Sequence, residues 1–149
     1  MIHSRARRRM DGFTLMEVLL VLLILTMLAG LAVNVYSGIK RSADLNAAKA
    51  QISLVKAALQ NFQFSIGSYP TTAQGLQALR YAPSDLPNPG KWAGPYLDAD
   101  IGWDPWDNAY QYVSPGIHNP DGFDFWSYGP DKSNGTDDDI GNWNQEATR

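Results

Sequence analysis

Four aspartates crowd one short segment near the C-terminal end of the chain. Asp131, Asp137, Asp138 and Asp139 fall within nine residues, in the sequence DKSNGTDDD. Clustered carboxylates repel one another unless they are solvated or bind a cation. Calcium suits such a segment, because it accepts about six to eight oxygen ligands with loose geometry. The spacing is not that of an EF-hand, so the residues alone leave both a calcium site and a solvated acidic turn open.

Glu17 is the second residue whose position calls for a chemical explanation. It is the single charge in residues 13–33, a segment of 21 residues that is otherwise almost wholly apolar. That length spans a bilayer core of about 30 Å at about 1.5 Å per residue. A carboxylate near the centre of a membrane helix costs roughly 2.5–3.5 kcal/mol, so it usually has a partner and a role. A snorkelling or protonated side chain without a role is the alternative.

The charges that flank this segment predict its orientation. Four arginines precede it, at positions 5, 7, 8 and 9, against one acid, Asp11. Basic residues on one flank favour the cytoplasmic side for that end. The sequence therefore predicts a single-pass membrane protein with a cytoplasmic N-terminus and the rest of the chain outside. A conventional cleaved secretory signal fits less well, because no small-x-small site ends the apolar run.

Composition narrows the classes of function. The chain has 149 residues and a net charge of −3, with 12 Lys and Arg against 15 Asp and Glu. Without residues 1–12 the balance is 8 basic against 14 acidic side chains, a net charge of −6. This argues against nucleic acid and for cations or basic partners. There are no cysteines, so the disulfides that stabilise many small domains outside the cytoplasm cannot form, and a metal ion or neighbouring subunits are candidates for that role.

Signals for catalysis are missing from the sequence. No serine lies in a nucleophile motif, and neither a phosphate-binding loop nor a redox motif occurs. His118 stands alone in a turn-rich stretch. The five tryptophans are better explained by core and loop packing than by a sugar-binding platform. The sequence therefore predicts a protein that is not an enzyme.

A long helix must carry the apolar segment and continue beyond it. From Phe13 to Ser65 only Gly30 and Gly38 weaken the helical pattern. In the second half, apolar residues recur at spacings of three and four, which predicts one buried helix face. These residues are Leu45, Ala48, Ile52, Val55, Leu59 and Phe62. A coiled-coil stalk is the alternative to packing on a globular part.

The remainder predicts a small domain made of short elements. Thr71, with Gln74 three residues later, forms a capping-box pattern before a short helix. Residues 83–107 hold many prolines and glycines and should be irregular. Alternating residues at 110–113 and 123–127 predict two short strands. The fold class is therefore α+β, a long N-terminal helix packed on a small antiparallel sheet with large loops.

Two sets of motifs resemble known families. The first, Gly12-Phe13-Thr14-Leu15-Met16-Glu17 after a basic leader, resembles the type IV pilin leader motif. The second lies in the globular part and is similar to the major pseudopilins of type II secretion, the general secretion pathway protein G family. It comprises Tyr69-Pro70-Thr71-Thr72 with Gln74-Gly75-Leu76, then Asp104-Pro105-Trp106, then Ser127-Tyr128-Gly129-Pro130-Asp131, and finally Asp138-Asp139-Ile140-Gly141-Asn142-Trp143. The match is collinear over nearly the whole chain.

The resemblance implies a type IV pilin-like fold and a division of the chain into parts. These parts are a leader peptide at 1–12, a long helix at 13–65 with a transmembrane half at 13–33, and a globular pseudopilin domain at 66–149. It also implies that prepilin peptidase cuts between Gly12 and Phe13 and methylates the new terminus. Glu17 would then neutralise the terminal amine of an adjacent subunit and set the subunit register.

The resemblance implies a structural function as well. The chain would polymerise into a periplasmic filament that helps to drive folded proteins across the outer membrane. Its partners would be further copies of itself, minor pseudopilins, prepilin peptidase and the inner-membrane assembly platform. A type IV pilin or a membrane-anchored surface adhesin is the alternative, and a periplasmic enzyme is a third, weaker hypothesis.

For the acidic segment the resemblance implies bound calcium. The implied ligands are the carboxylates of Asp131, Asp138 and Asp139, with further oxygens from Tyr128 and Thr136, and Asp137 would point outward.

Two positions depart from the family pattern. Asn34 stands where many relatives have a proline, which puts a kink or melted stretch there in doubt. Asp107 and Asn108 stand where glycine is common.

Overall fold

Helix α1 dominates the chain. The computed structural model describes residues 12–143, without the side chains of residues 31–35. Helix α1 runs unbroken from Leu15 to Ile66, past the position of the missing proline. Thr14 caps its start, because its hydroxyl accepts a hydrogen bond from the main-chain N of Glu17 at 3.2 Å. The predicted helix at 13–65 is confirmed with bounds that differ by one or two residues.

The apolar face predicted for the second half of α1 is the core of the protein. Ala48, Ile52, Val55 and Leu59 have no exposed surface, and Phe62 is 1% exposed. Burial of each large aliphatic or aromatic side chain contributes about 1.5–3 kcal/mol. The interpretation as a helix packed on a globular part is therefore confirmed over the coiled-coil stalk.

The contacts divide the chain into two units. One unit ends at Arg41 and the other begins at Ser42. The predicted division placed the whole helix in one part and began the globular domain at residue 66. The structure differs because residues 45–62 of α1 pack into the globular core and so belong with it.

The first unit presents an apolar surface without a covering layer. Leu15 is 82% exposed, Met16 80% and Met27 68%. Within the parts of the chain that the structure describes, no helix has the length and hydropathy needed to cross a membrane.

The sheet has three short antiparallel strands in the order β1-β2-β3: β1 at Gln111–Val113, β2 at Asp124–Ser127 and β3 at Ile140–Gly141. Tyr112 pairs with Phe125, and Trp126 pairs with Gly141. Phe125 is fully buried at the centre of β2. The first two strands were predicted, whereas β3 was not, because two residues are too few for an alternating pattern.

The connections contain two 3-10 helices, at Leu76–Leu79 and Pro89–Lys91. Both hydrogen bonds predicted between Thr71 and Gln74 form, but they close the turn before the first 3-10 helix, whose own N-cap is Gly75. The main-chain N of Gln74 donates to the Thr71 hydroxyl at 3.2 Å, and the main-chain N of Thr71 donates to Gln74 Oε1 at 2.9 Å. These two bonds hold the turn that leads into the helix. Leu79, at the end of this helix, is fully buried in the core.

Candidate functional sites

The predicted processing junction lies at the exposed start of the chain that the structure describes. Gly12 and Phe13 precede α1, and the Phe13 side chain is 80% exposed. Glu17 lies in the first turn of the helix and is exposed. The leader residues 1–11 lie outside the described residues. Gly12, Phe13 and Glu17 are thus adjacent on an accessible helix end, where an enzyme could reach the Gly12–Phe13 bond.

The acidic loop, residues 128–139, joins β2 to β3 and folds back on itself. Asp138 connects its two ends, because Oδ2 accepts a hydrogen bond from the main-chain N of Asp131 at 3.2 Å. The other carboxylate oxygen, Oδ1, accepts a hydrogen bond from the Thr136 hydroxyl at 2.7 Å. Three of the five predicted ligand residues, Asp131, Thr136 and Asp138, therefore meet at one place.

A glycine allows the ends of this loop to approach so closely. Gly129 has a φ of +72°, and a Cβ built on it would lie 2.5 Å from the main-chain oxygen of Asp138. Any side chain at residue 129 would therefore push the two ends apart. Tyr128 precedes this contact directly, which places its main chain beside the same cluster of oxygens.

Asp139 faces the middle of the loop. Its Oδ2 accepts a hydrogen bond from the main-chain N of Gly135 at 2.8 Å, and its Oδ1 exposes less than 1 Å². Its main-chain N donates to the carbonyl oxygen of Thr136 at 3.2 Å. Asp137, by contrast, is exposed.

The electrostatics of the loop favour ionised carboxylates. The hydrogen bond from the Thr136 hydroxyl lowers the pKa of Asp138 below its ordinary value, and a weaker opposing effect comes from desolvation. The oxygen-rich donors of the loop match the chemistry that calcium prefers. Carboxylates alone do not make the site: among residues 12–143, no group of three or more His, Cys, Asp and Glu side chains has the arrangement of a metal centre. The predicted ligand set depends on its hydroxyl and main-chain oxygens.

A buried aspartate that the sequence analysis did not single out organises the neighbouring loop. Asp124, 1% exposed, accepts hydrogen bonds from the main-chain N atoms of Ile117 at 2.6 Å, His118 at 2.7 Å and Asn119 at 3.1 Å. The Asn119 side chain adds another at 2.9 Å. Burial alone would raise the pKa of Asp124, but these bonds outweigh it and hold the pKa below its ordinary value. The only feature of the sequence that could have pointed to Asp124 was its position as an aspartate within an otherwise apolar strand.

Asp104 does the same for the turn before β1. It accepts hydrogen bonds from the main-chain N of Trp106 at 2.9 Å and of Asn108 at 2.7 Å, and from the Ser127 hydroxyl. The turn requires Asp107 to adopt a φ of +65°, in the left-handed region that favours glycine. Asp107 is therefore the position at which the glycine expected from the resemblance would fit the backbone.

The long helix packed on a small antiparallel sheet defines the class as type IV pilin-like. A family model described as "Type II secretion system (T2SS), protein G" matches residues 35–143, and one described as "Prokaryotic N-terminal methylation motif" matches residues 7–33. The chain belongs to the type II secretion system protein G family, whose members include the major pseudopilins.

Similar proteins agree with this assignment. The chain is 43% identical over 139 residues to the type II secretion system core protein G of Aeromonas hydrophila, covering 93% of this chain and 95% of that protein. It is 42% identical over 137 residues to the core protein G of Dickeya chrysanthemi, covering 92% and 88%. The crystal structure of the major pseudopilin from the type 2 secretion system of enterohaemorrhagic Escherichia coli matches with a TM-score of 0.60 and 34% identity, over 72% of this chain and 93% of that chain. These matches favour the pseudopilin over the alternative of a type IV pilin or adhesin.

Proposed function

We propose that this chain is the major structural subunit of a type II secretion pseudopilus, which grows in the periplasm and helps to drive folded proteins across the outer membrane. The apolar surface of the first helical unit carries the proposal. Every side chain from Phe13 to Gly30 is exposed. Isolated soluble proteins rarely expose a patch above a few hundred Å². Lipid covers this surface before assembly, and the helices of neighbouring subunits cover it in the filament.

Overproduction together with the assembly machinery tests this function. Electron microscopy of the sheared surface fraction should show filaments that contain this chain. Glu17→Leu should insert in the membrane as wild type does, because it makes the segment more apolar, but its filaments and its secretion should be lost. Wild-type protein that remains dispersed in the membrane beside a working secretion machinery would contradict the proposal.

Maturation by prepilin peptidase is part of the proposed function. Cleavage after Gly12 would leave Phe13 as an N-methylated terminus, four residues before Glu17. The match of residues 7–33 to the N-terminal methylation motif supports this step. The new amine would be cationic next to lipid, and the carboxylate of Glu17 on a neighbouring subunit offers it a counter-charge. Mass spectrometry of the membrane-extracted chain reads the terminus directly, and an intact Met1 in cells with prepilin peptidase would exclude the step.

The proposed location follows from the sequence. Residues 13–33 would anchor the precursor in the inner membrane, with the basic leader in the cytoplasm and the domain in the periplasm. Further copies of the chain, minor pseudopilins and the inner-membrane assembly platform would then be its partners. The net negative charge of the mature chain fits contacts with basic protein surfaces and argues against a role on nucleic acid.

Calcium in the acidic loop is the proposed cofactor. Asp131, Asp138 and Asp139 would hold it with carboxylates, and Tyr128 and Thr136 with further oxygens. When bound, the ion would neutralise carboxylates that otherwise repel one another and would tie the two ends of the loop together. The chain itself already brings those ends into contact at Gly129 and Asp138.

Thermal melts of a fragment that starts near Lys40 test the cofactor. Binding to the native state alone adds RT ln(1 + [L]/Kd), about 2.7 kcal/mol at a hundredfold excess over Kd. Calcium should raise the melting temperature, a chelator should lower it, and magnesium should substitute poorly because it needs a tight octahedral site. Asp138→Ala should abolish the difference, whereas Asp137→Ala should retain it. Identical melting curves with calcium and with chelator would contradict the calcium site and favour the alternative of a solvated turn.

A further inference from the structure

A cleft of about 390 Å³ opens between the acidic loop and the loop that Asp124 organises. Its walls include three rings, those of His118, Trp126 and Trp143. The His118 and Trp143 rings are stacked, with centroids 3.9 Å apart and an angle of 11° between their planes. Trp126 lies 5.8 Å from Trp143. The three rings therefore form an aromatic wall, in which Trp126 is inclined to Trp143 by 57°. Aromatic rings attract a nearby cation, so this wall favours a positively charged group.

The rim of the cleft is acidic. Asp124, Asp137 and Asp139 line it, and His118 is the other ionisable side chain among its described lining residues. Asp137 is exposed at the mouth and lies outside the predicted calcium ligands. Asp124 is 1% exposed and its carboxylate already accepts the hydrogen bonds of residues 117–119, so Asp137 is the exposed carboxylate of the three. An aromatic wall beside carboxylates is the arrangement that recognises a guanidinium, which stacks on a ring and donates hydrogen bonds to carboxylates at the same time.

The walls of the cleft are held in place before anything binds. The indole N of Trp126 donates to Asn134 Oδ1 at 3.0 Å and so joins β2 to the acidic loop. On the other side, Asp124 fixes the main chain of residues 117–119. Ile117 is 79% exposed on this fixed loop. A preformed site loses less conformational entropy on binding than a flexible one, and an exposed isoleucine at its edge offers apolar contact area to a partner.

The chain itself carries a matching group. Residues 12–143 contain two arginines, Arg41 and Arg80. Arg80 is engaged, because its Nη1 lies 2.5 Å from Asp100 Oδ1 and its guanidinium lies 5.3 Å from the centre of the Tyr81 ring. Arg41 is exposed on α1 and forms no ion pair within the described part of the chain. Arg41 is therefore the guanidinium that remains available to another molecule.

We propose that this cleft is a subunit contact of the filament and that it receives Arg41 of a second copy of the chain. The inference rests on the proposed function and adds the residues of one contact to it. A cleft and a ligand that are made of different residues of the same chain form a heterologous contact, and such contacts propagate into open helical filaments unless the rotation closes a ring. The same geometry makes the acidic loop part of the contact, since Asp139 belongs to both the loop and the cleft.

Charge reversal in the full-length chain, co-produced with its assembly machinery, tests the contact. Asp137→Arg should reduce the filament yield at least about fivefold, and Arg41→Asp should do the same. The double variant, Asp137→Arg with Arg41→Asp, should regain at least half of the wild-type yield. The matched control is Asp121→Arg, which reverses an exposed charge in the neighbouring loop outside the cleft and should assemble normally. Calcium-dependent melting of detergent-solubilised Asp137→Arg should match wild type, so a defect would not come from the metal loop.

Cross-linking gives the geometry independently. The chain has no cysteine, so Arg41→Cys with Asp137→Cys introduces the only two thiols. Because an arginine side chain spans the contact, the main chains at positions 41 and 137 lie too far apart for a direct disulfide. A short bismaleimide should therefore link the two cysteines and produce a ladder of multimers from filaments. The ladder should disappear when either cysteine is omitted.

The results separate this inference from the proposed function. If wild type assembles and Asp137→Arg assembles equally well, the cleft is not a subunit contact, while the filament function stands. If Asp137→Arg does not assemble and the added Arg41→Asp substitution does not restore assembly, Arg41 is not the group that binds in the cleft. The cleft would then bind a different group, such as one of a minor pseudopilin or a secreted protein. Absence of filaments from wild type would instead contradict the proposed function.

Discussion

Removal of the Asp124 carboxylate should cost the globular part about 3 kcal/mol of its free energy of unfolding. The carboxylate of Asp124 accepts three main-chain hydrogen bonds, from Ile117, His118 and Asn119, at 2.6–3.1 Å. Each intramolecular hydrogen bond contributes about 1 kcal/mol net, and those to charged groups contribute more. Asp124→Ala removes the acceptor of all three, but the loop can partly rehydrate, so about 3 kcal/mol is the expected loss.

The same carboxylate should make stability depend on pH in a defined direction. Its pKa in the folded protein lies below the ordinary value of 3.8 that it regains on unfolding. A lowered folded pKa stabilises the protein above the unfolded pKa, and this contribution is lost as the pH falls through the folded pKa. Wild type should therefore lose stability below about pH 4, and Asp124→Asn should lose less over the same interval because it has no carboxylate to protonate.

Urea unfolding of the fragment from Lys40 onward, followed by tryptophan fluorescence between pH 7 and pH 3, measures both effects. Asp121→Asn is the control, because that carboxylate is exposed and should leave the curve unchanged. A loss below about 1 kcal/mol for Asp124→Ala would refute the reasoning, since it would mean that water replaces the carboxylate at almost no cost. A pH dependence of Asp124→Asn equal to that of wild type would show that other carboxylates, such as Asp104, account for the acid sensitivity.

Two further predictions concern packing and backbone strain. Phe62→Ala should destabilise the fragment by about 3–5 kcal/mol, because Phe62 is 1% exposed in the core, whereas Phe64→Ala should change it by less than about 0.5 kcal/mol, because Phe64 is 93% exposed. Equal losses in urea unfolding would contradict the assignment of the buried helix face. Asp107→Gly should raise the melting temperature and stabilise by about 0.5–1 kcal/mol, because a φ of +65° is strained for a residue with a Cβ. A lower melting temperature would mean that the Asp107 side chain contributes more than this strain costs.

The long helix and its buried face could be predicted from the sequence because apolar residues recur along it at spacings of three and four. Ala48, Ile52, Val55, Leu59 and Phe62 repeat over several turns, and each of them is buried. The capping box at Thr71 and Gln74 was predictable for a similar reason, since its chemistry is contained within four residues. Local patterns of this kind do not depend on what the rest of the chain does.

The remaining structure depends on contacts between distant residues. Strand β3 forms because Ile140 and Gly141 pair with Ser127 and Trp126. Two residues are too few for a sequence pattern that predicts a strand. Asp124 alternates like any strand residue, and its role appears only when residues 117–119 fold over it. Long-range pairing of this kind was beyond the reach of a sequence pattern.

The ligand residues predicted for the acidic loop came from the family resemblance, and the structure shows how they are arranged. The residues alone left a calcium site and a solvated turn open, and the family pattern selected Asp131, Thr136 and Asp138 among other ligands. In the structure, Asp131 and Thr136 each donate a hydrogen bond to the Asp138 carboxylate. The proposed ion would also affect residues beyond its ligands. Asn134 and Asp139 lie in the same loop and line the cleft beside Trp126, so any rearrangement of the loop must alter the cleft as well. Loss of calcium should therefore weaken the Arg41 contact even though Arg41 is not a ligand, which connects the proposed cofactor with the proposed filament through one surface.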